Sequence, residues 1–575
     1  MPAPNATNLR PTIRAAFTFL AGYLLAGSAL AQGLPRARPE DVGLSVAALG
    51  QIAPALQVYV DSGRLPGLLA VVARHGKLAY VASVGSMDVE HRRAMRPDAV
   101  FRIFSMTKPV TSTAVMQLYE RGKLRLDDPV SKYVPGFADV KVYAGGSAAQ
   151  PVLREPERPI TVADLLTHIA GLTYGLFDST PVDTIYRRAA LFNPRSTVAQ
   201  LADSLARLPL VFSPGTKWNY SFAIDVLGRV VEVASGTRLD RYLDSALFRP
   251  LGMRTTGFHA TRTMESRIMP AYARGADGKL HAIAPLLSPE YTAEGRLLSG
   301  GGGLLSTAGD YLRFAQMLLN GGELEGHRVL KRETVELMMQ NHLPPGLTPI
   351  TISPDWPPGL SGFGYGGAVR VDSGTAIPGS PGTFRWAGYA TTFFWIDPKA
   401  DLIAMVWSQY MPVTELWSLD AQFQRLVYAA VSPGHATAGQ NTHPMVLFPA
   451  TAIEWRDGPA ALPTGVKIVV LEGDPTQPGM FTVRLRFPDG FRVPPHWHTQ
   501  TEHVTVVAGA LHLGMGERFD RAATRKLAAG SFGYWPAGMK HFAWMEGETI
   551  LQLHGQGPWT VSYVNPADDP RNARP

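Results

Sequence analysis

The chain contains no cysteine in 575 residues. That excludes disulfides, thiol nucleophiles, cysteine-based zinc sites and a lipid-modified N-terminal cysteine together. It also lacks a dense basic run: the formal net charge is +7, from Lys and Arg scattered along the chain. Scattered charge of this size keeps a surface soluble, and no nucleic-acid partner is expected. Beyond the N-terminus no apolar run is long enough to span a bilayer. No G-x-S-x-G elbow is present either, which disfavours an α/β-hydrolase.

Hydrophobic residues make up 45% of the chain and charged residues 18%, the balance of a folded protein. Its length exceeds what one core serves, so two or more domains are expected. Residues 1–31 read as a signal peptide, with Arg10 and Arg14 ahead of the apolar stretch 15–27 and "ALA" at 29–31. A membrane anchor is the rival reading, but the run is short for one. Cleavage near Gln32 would place the product in the periplasm or outside the cell.

"LLAVVARHGKLAYVASVG" (68–85) reads as two strands turning at Gly76. Helical patterns follow after Ser105, over 160–172 with a Thr161/Asp164 capping box, over 223–236, and over 306–322 with Thr307 and Asp310 as cap. "TTFFWIDPKADLIAMVWSQ" (391–409) is a late hairpin. Strands at both ends of a helical middle predict an antiparallel sheet closed by both chain ends, residues 37–431. Residues 432–444 are small, polar and aperiodic, a linker by composition. Residues 445–575 alternate short strands with Gly and Pro, an all-β barrel or sandwich.

"SMTK" places Lys108 three residues after Ser105, within reach of its hydroxyl on a helix. A serine hydroxyl is a poor nucleophile until a neighbour takes its proton. Pro109 lacks an N–H and fits only a first helical turn, so the helix starts near Ser105. The Ser105 N–H then lies at the positive end of the helix and suits half an oxyanion hole. Ser105 as a plain N-cap, with Lys108 solvated, is the alternative. "PPHWHTQTEHVTVVAG" (494–509) supplies His496, His498 and Glu502 on one strand face, and "GSFGYWPAGMKH" (530–541) brings His541 from another strand. Three imidazoles and a carboxylate suit Mn, Fe, Ni or Zn. A barrel with metal-free histidines is the other reading.

In order, "SMTK", "YSF" (220–222) and "WAG" (386–388) resemble the serine β-lactamase and penicillin-binding fold, and more closely class C β-lactamases and family VIII carboxylesterases. The flanking runs "GKLRLDDPVSKYVPGF", "ITVADLLTHIAGL" and "SGGGGLLSTAGDYLRF" agree, and the likeness covers residues 40–430. It implies an α+β fold: an antiparallel sheet flanked by helices, plus an all-α subdomain. It also implies an acyl-enzyme route needing no cofactor. Ser105 would be the nucleophile and Lys108 its proton relay. Tyr220 would be the base, its phenol lowered by Lys108. The N–H groups of Ser105 and Tyr389 would form the oxyanion hole, and the Trp386–Gly388 strand would align the substrate.

Trp386 stands where β-lactamases carry Lys, and Phe222 where Asn is usual. Both departures favour a small-molecule ester over an amide or β-lactam; plain core packing is their alternative role. β-Lactamase or D-amino-acid peptidase activity is the runner-up, as is a metal enzyme or sensor joined to a degenerate hydrolase. Gly300–Gly303 is a loop beside the cleft or a turn into the next helix. The C-terminal spacing resembles the two cupin motifs, with Gly509, Gly530, Pro536 and Gly538 in place and Met545 where an Asn is common. That likeness implies a metal-binding cupin and a homodimer formed through it.

Overall fold

The computed structural model describes residues 33–284, 297–347, 350, 352, 361–371, 377–431, 448–449, 453–477 and 479–572. The expected signal peptide and linker lie outside them. The chain divides into two units, Met1–Ala436 and Thr437–Pro575.

The first unit is built on β1 (Gly67–Arg74), β2 (Lys77–Asp88) and β3 (Arg93–Ala94), joined much later by β4 (Ser361–Phe363), β5 (Ala368–Arg370), β6 (Phe384–Gly388), β7 (Thr392–Asp397) and β8 (Leu402–Trp407). They form one sheet in the order β4-β5-β6-β7-β8-β1-β2-β3. β8 pairs antiparallel with β1 from Leu69↔Trp407 to Arg74↔Leu402, so both ends of the unit close the sheet as expected. β7 and β8 are buried along their whole length, so both faces are covered. Side chains alternate between faces. Phe394 and Trp407 meet Tyr311 of α3 (Ala308–Leu319), after α1 (Thr107–Glu120) and α2 (Ala223–Ser235) in the chain. Phe393 and Trp395 meet Trp417 and Phe423 of α4 (Trp417–Ala430) on the opposite face.

Between the two strand groups lies the helical part, where α1 packs against α2. Thr307 caps α3 by accepting from the Asp310 N–H, and Gly236 stops α2 at φ +68°. The helix expected over 160–172 starts on its capping box but ends at Leu166. His168 takes φ +59°, which turns the chain out of the helix two residues later.

The second unit is all-β. Among the described residues its nine strands are β9 (Arg456–Asp457), β10 (Lys467–Glu472), β11 (Gly479–Phe487), β12 (Arg492–Trp497), β13 (Glu502–Met515), β14 (Arg525–Ala528), β15 (Phe532–Trp535), β16 (His541–Gly557) and β17 (Ser562–Tyr563). Two are long, not short as the Gly and Pro spacing suggested: β13 has 14 residues and β16 has 17. They pair antiparallel, with register shifts around Ala508. Bulges of this kind bend long strands and let the sheet curl around its own apolar core, which includes Phe481, Leu485, Val504 and Leu553.

Candidate active site

Ser105 sits in a 3₁₀ turn, Phe104–Met106, that runs into α1. Phe104, just before it, holds φ +40°, a conformation rare for a bulky residue and worth about 1–3 kcal/mol of strain. Pro109 falls in the first turn of α1, as its missing N–H requires. Lys108 is completely buried, and its Nζ donates to Ser105 Oγ at 3.1 Å. Two further acceptors hold the amine: Tyr174 Oη at 2.9 Å and the Gly301 carbonyl at 2.8 Å. The Gly300–Gly303 run is thus a buried wall of the site.

Tyr220 approaches from the loop before α2. Its hydroxyl hydrogen-bonds with Ser105 and accepts from Trp386 Nε1 at 3.4 Å. Lys108 Nζ lies 4.6 Å from the centroid of the Tyr220 ring. Ser105 therefore has the amine on one side and the phenol on the other. The end of β6 completes the site. Gly388 packs so closely on the nucleophile's turn that a Cβ there would lie 2.3 Å from the Ile103 carbonyl oxygen. The Tyr389 ring meets Phe104 edge-on at 6.3 Å.

Burial dominates the electrostatics. Loss of water pushes Lys108 down from 10.5 to about 7, with the buried Asp225 carboxylate pulling the other way. Burial pushes the Tyr220 phenol up, against hydrogen bonds from Ser105 and Trp386. The sequence reading, which had Lys108 lower that phenol, is corrected: desolvation outweighs the neighbouring amine. Asp225 is itself raised by burial; it accepts from the Ser299 hydroxyl and, at 3.1 Å, from the Gly301 N–H. Near neutral pH the Lys108 amine is then divided between its charged and neutral forms, beside a neutral phenol.

Three contributors were missed from sequence. Tyr174 and Asp225 secure Lys108, directly and through Gly301, in place of the amide that Phe222 cannot supply. The Phe222 ring instead packs 4.5 Å from that of Tyr174. His168 stands 5.0 Å from the Tyr220 ring, and its Nδ1 pairs with Ser221 Oγ at 3.2 Å. An Asp at the third position of an amphipathic helix, buried here, was the one signal for Asp225; nothing local marked Tyr174 or His168.

The cleft over Ser105 has a volume of about 950 Å³, measured out to open solvent. Phe177, Phe192, Phe222, Leu201, Leu297 and Ile352 make its walls largely apolar.

Residues 52–429 match the family described as Beta-lactamase. The chain belongs to the beta-lactamase family. It is a serine hydrolase of that family, similar to esterases and acyltransferases. Esterase EstB of Burkholderia gladioli is 34% identical over 362 residues, covering 60% of this chain and 86% of that protein. Lovastatin esterase of Penicillium rubens is 29% identical over 364 residues, covering 60% and 89%. Among solved structures, EstCE1, a hydrolase with promiscuous acyltransferase activity, superposes with a TM-score of 0.57 at 29% identity, covering 67% of this chain and all of that one. Residues 467–574 match a domain of unknown function, DUF4437.

In that second unit His496, His498 and His541 bring one nitrogen each to within 4.8 Å of one another, and all three are buried. Each Nδ1 is engaged by a backbone carbonyl: Pro494 at 2.7 Å, Thr560 at 2.8 Å and Met539 at 3.0 Å. A ring whose Nδ1–H is donated carries a bare Nε2, the form that ligates metal. Burial also holds His496 and His541 below the usual imidazole range. Glu502 stands beside them, its Oε2 3.4 Å from His498 Nε2, but outside the group of three nitrogens. His512 and His554 make side-chain hydrogen bonds with Glu546 and Thr482, as ordinary structural residues do.

Proposed function

We propose that the first unit is a carboxylesterase acting on small apolar esters through an acyl-enzyme. The observation that carries this is Ser105 Oγ held between a buried amine and a buried phenol under an apolar cleft. As Ser105 attacks the ester carbonyl, its proton passes to the neutral Lys108 amine. The N–H groups of Ser105 and Tyr389 stabilise the oxyanion. The C–O bond breaks, and the proton held on Lys108 passes through the Tyr220 hydroxyl to the departing alkoxide, leaving a neutral amine and an intact phenol. Water then attacks the acyl group while its proton passes back through Tyr220 to Lys108. The released Ser105 oxygen recovers a proton from Lys108, and the site is restored. Trp386, in place of a cation, offers nothing to the carboxylate of a β-lactam.

Esterase EstB and lovastatin esterase support the ester reading by their names. A fluorophosphonate should label Ser105, and Ser105→Ala should lose short-chain p-nitrophenyl ester cleavage, while chelators leave the wild-type rate intact. A Ser105→Ala enzyme of full activity would overturn the proposal. The sequence of residues 1–31 supports export of the chain, checked by N-terminal sequencing of the recovered protein.

For the second unit we propose a cupin that binds a divalent metal: Mn, Fe, Ni or Zn. His498 Nε2 is buried and makes no hydrogen bond among the described residues, a nitrogen left open for a ligand bond. A metal there would supply Lewis acidity or redox chemistry. The residues that would hold it are His496, His498 and His541.

A further inference from the structure

Resting on that metal reading, the surroundings of Glu502 say more. Two atoms bound to one ion at about 2.0–2.2 Å each can be at most about 4.4 Å apart. The three imidazole nitrogens approach this limit, but no Glu502 oxygen lies within 4.8 Å of all three. Both carboxylate oxygens have other partners. Oε1 accepts from the Trp559 indole at 2.9 Å, and Oε2 from the Trp535 indole at 2.9 Å. Oε2 also stands 3.4 Å from His498 Nε2. Trp535 and Glu502 face each other across paired strands, β15 and β13, so this tether is set by register. Swinging the carboxylate onto an ion would strip an indole N–H of its partner, at a cost of about 1–3 kcal/mol where it is buried.

We infer a three-histidine metal centre in which Glu502 is held beside the ion by Trp535 and Trp559, as an acceptor for a bound molecule and not as a ligand. Each oxygen still has a lone pair free for a second donor. The pocket that the cluster opens into, about 440 Å³ measured out to open solvent, is otherwise walled by Leu485, Val504, Leu551 and similar side chains. The ligand it fits is a small, mainly apolar molecule carrying one hydroxyl or N–H, which donates to Glu502 while a neighbouring atom faces the ion.

The test uses the full chain loaded with cobalt(II), with metal content and the visible spectrum as readouts. Wild type and Glu502→Gln should both hold about one ion per chain with closely similar spectra, and His541→Ala should lose affinity by at least tenfold. Loss of metal in Glu502→Gln matching that in His541→Ala, with circular dichroism unchanged, would overturn the inference and leave the metal reading standing. A metal-free wild type would overturn both. Should Glu502→Gln not fold, a crystal structure of the cobalt-loaded wild type decides. A Glu502 oxygen beyond about 3 Å from the ion supports the inference, and one at about 2.1 Å overturns it.

Discussion

Asp225→Asn isolates the charge that governs Lys108. The carboxylate and the amine are joined through one glycine: the Gly301 N–H donates to Asp225, and the Gly301 carbonyl accepts from Lys108. Two hydrogen bonds with the N–Cα–C=O span of one glycine between them put the charges about 6–8 Å apart. At an effective dielectric of about 20 their attraction is about 2–3 kcal/mol, or about two pH units on the amine. The sign follows directly. Asp225 favours the ammonium, so removing its charge makes Lys108 lose its proton more readily. In the wild type the acid limb of kcat/KM should fall near the Lys108 value of about 7, with activity rising as the amine becomes neutral. In Asp225→Asn that limb should move toward acid by about one to two units. The asparagine oxygen can still accept from Gly301 and Ser299, so the wall of the cleft is kept. The assay is kcat/KM for an uncharged ester between pH 4.5 and 9, which reports groups of the free enzyme. A limb that stays put, or moves toward alkali, would refute the argument that a neutral Lys108 takes the Ser105 proton.

Two further outcomes follow from the same contacts. Tyr174→Phe removes one acceptor of a buried amine, and kcat should fall about 10- to 100-fold, matching the 1.5–3 kcal/mol of a hydrogen bond to a charged group, while KM for an apolar ester changes little. Gly388→Ala drives a methyl into the Ile103 carbonyl and Thr392 Oγ1, each 2.3 Å away. It should lower the unfolding midpoint by the equivalent of about 1–3 kcal/mol and reduce ester turnover at least tenfold, because β6 must move off the nucleophile's turn; a wild-type rate in a correctly folded variant would contradict that close approach.

What the sequence made legible depended on whether a residue's role is set by its neighbours in the chain. Ser105 and Lys108 are three apart at the head of a helix, and Pro109 fixes where that helix starts, so local spacing carries their geometry. The hairpins 67–88 and 392–407 follow from short apolar runs broken by turn residues, and their burial from composition. Tyr174 and Asp225 are 66 and 117 positions away from Lys108, and their convergence depends on how α2 and the 301 loop pack.

Desolvation was the larger blind spot. The family resemblance places the charge of Lys108 near Tyr220 and so implies a lowered phenol. The depth at which the ring is buried cannot be counted in a sequence, and it reverses the sign. The same limit explains Glu502. Strand periodicity predicts His496, His498 and Glu502 on one strand, but β12 ends at Trp497 and Glu502 opens β13. The indole that claims its Oε1 comes from Trp559, 57 residues later. In the first site the nucleophile and its amine are local in the chain, and the residues that hold and tune Lys108 are supplied by distant segments.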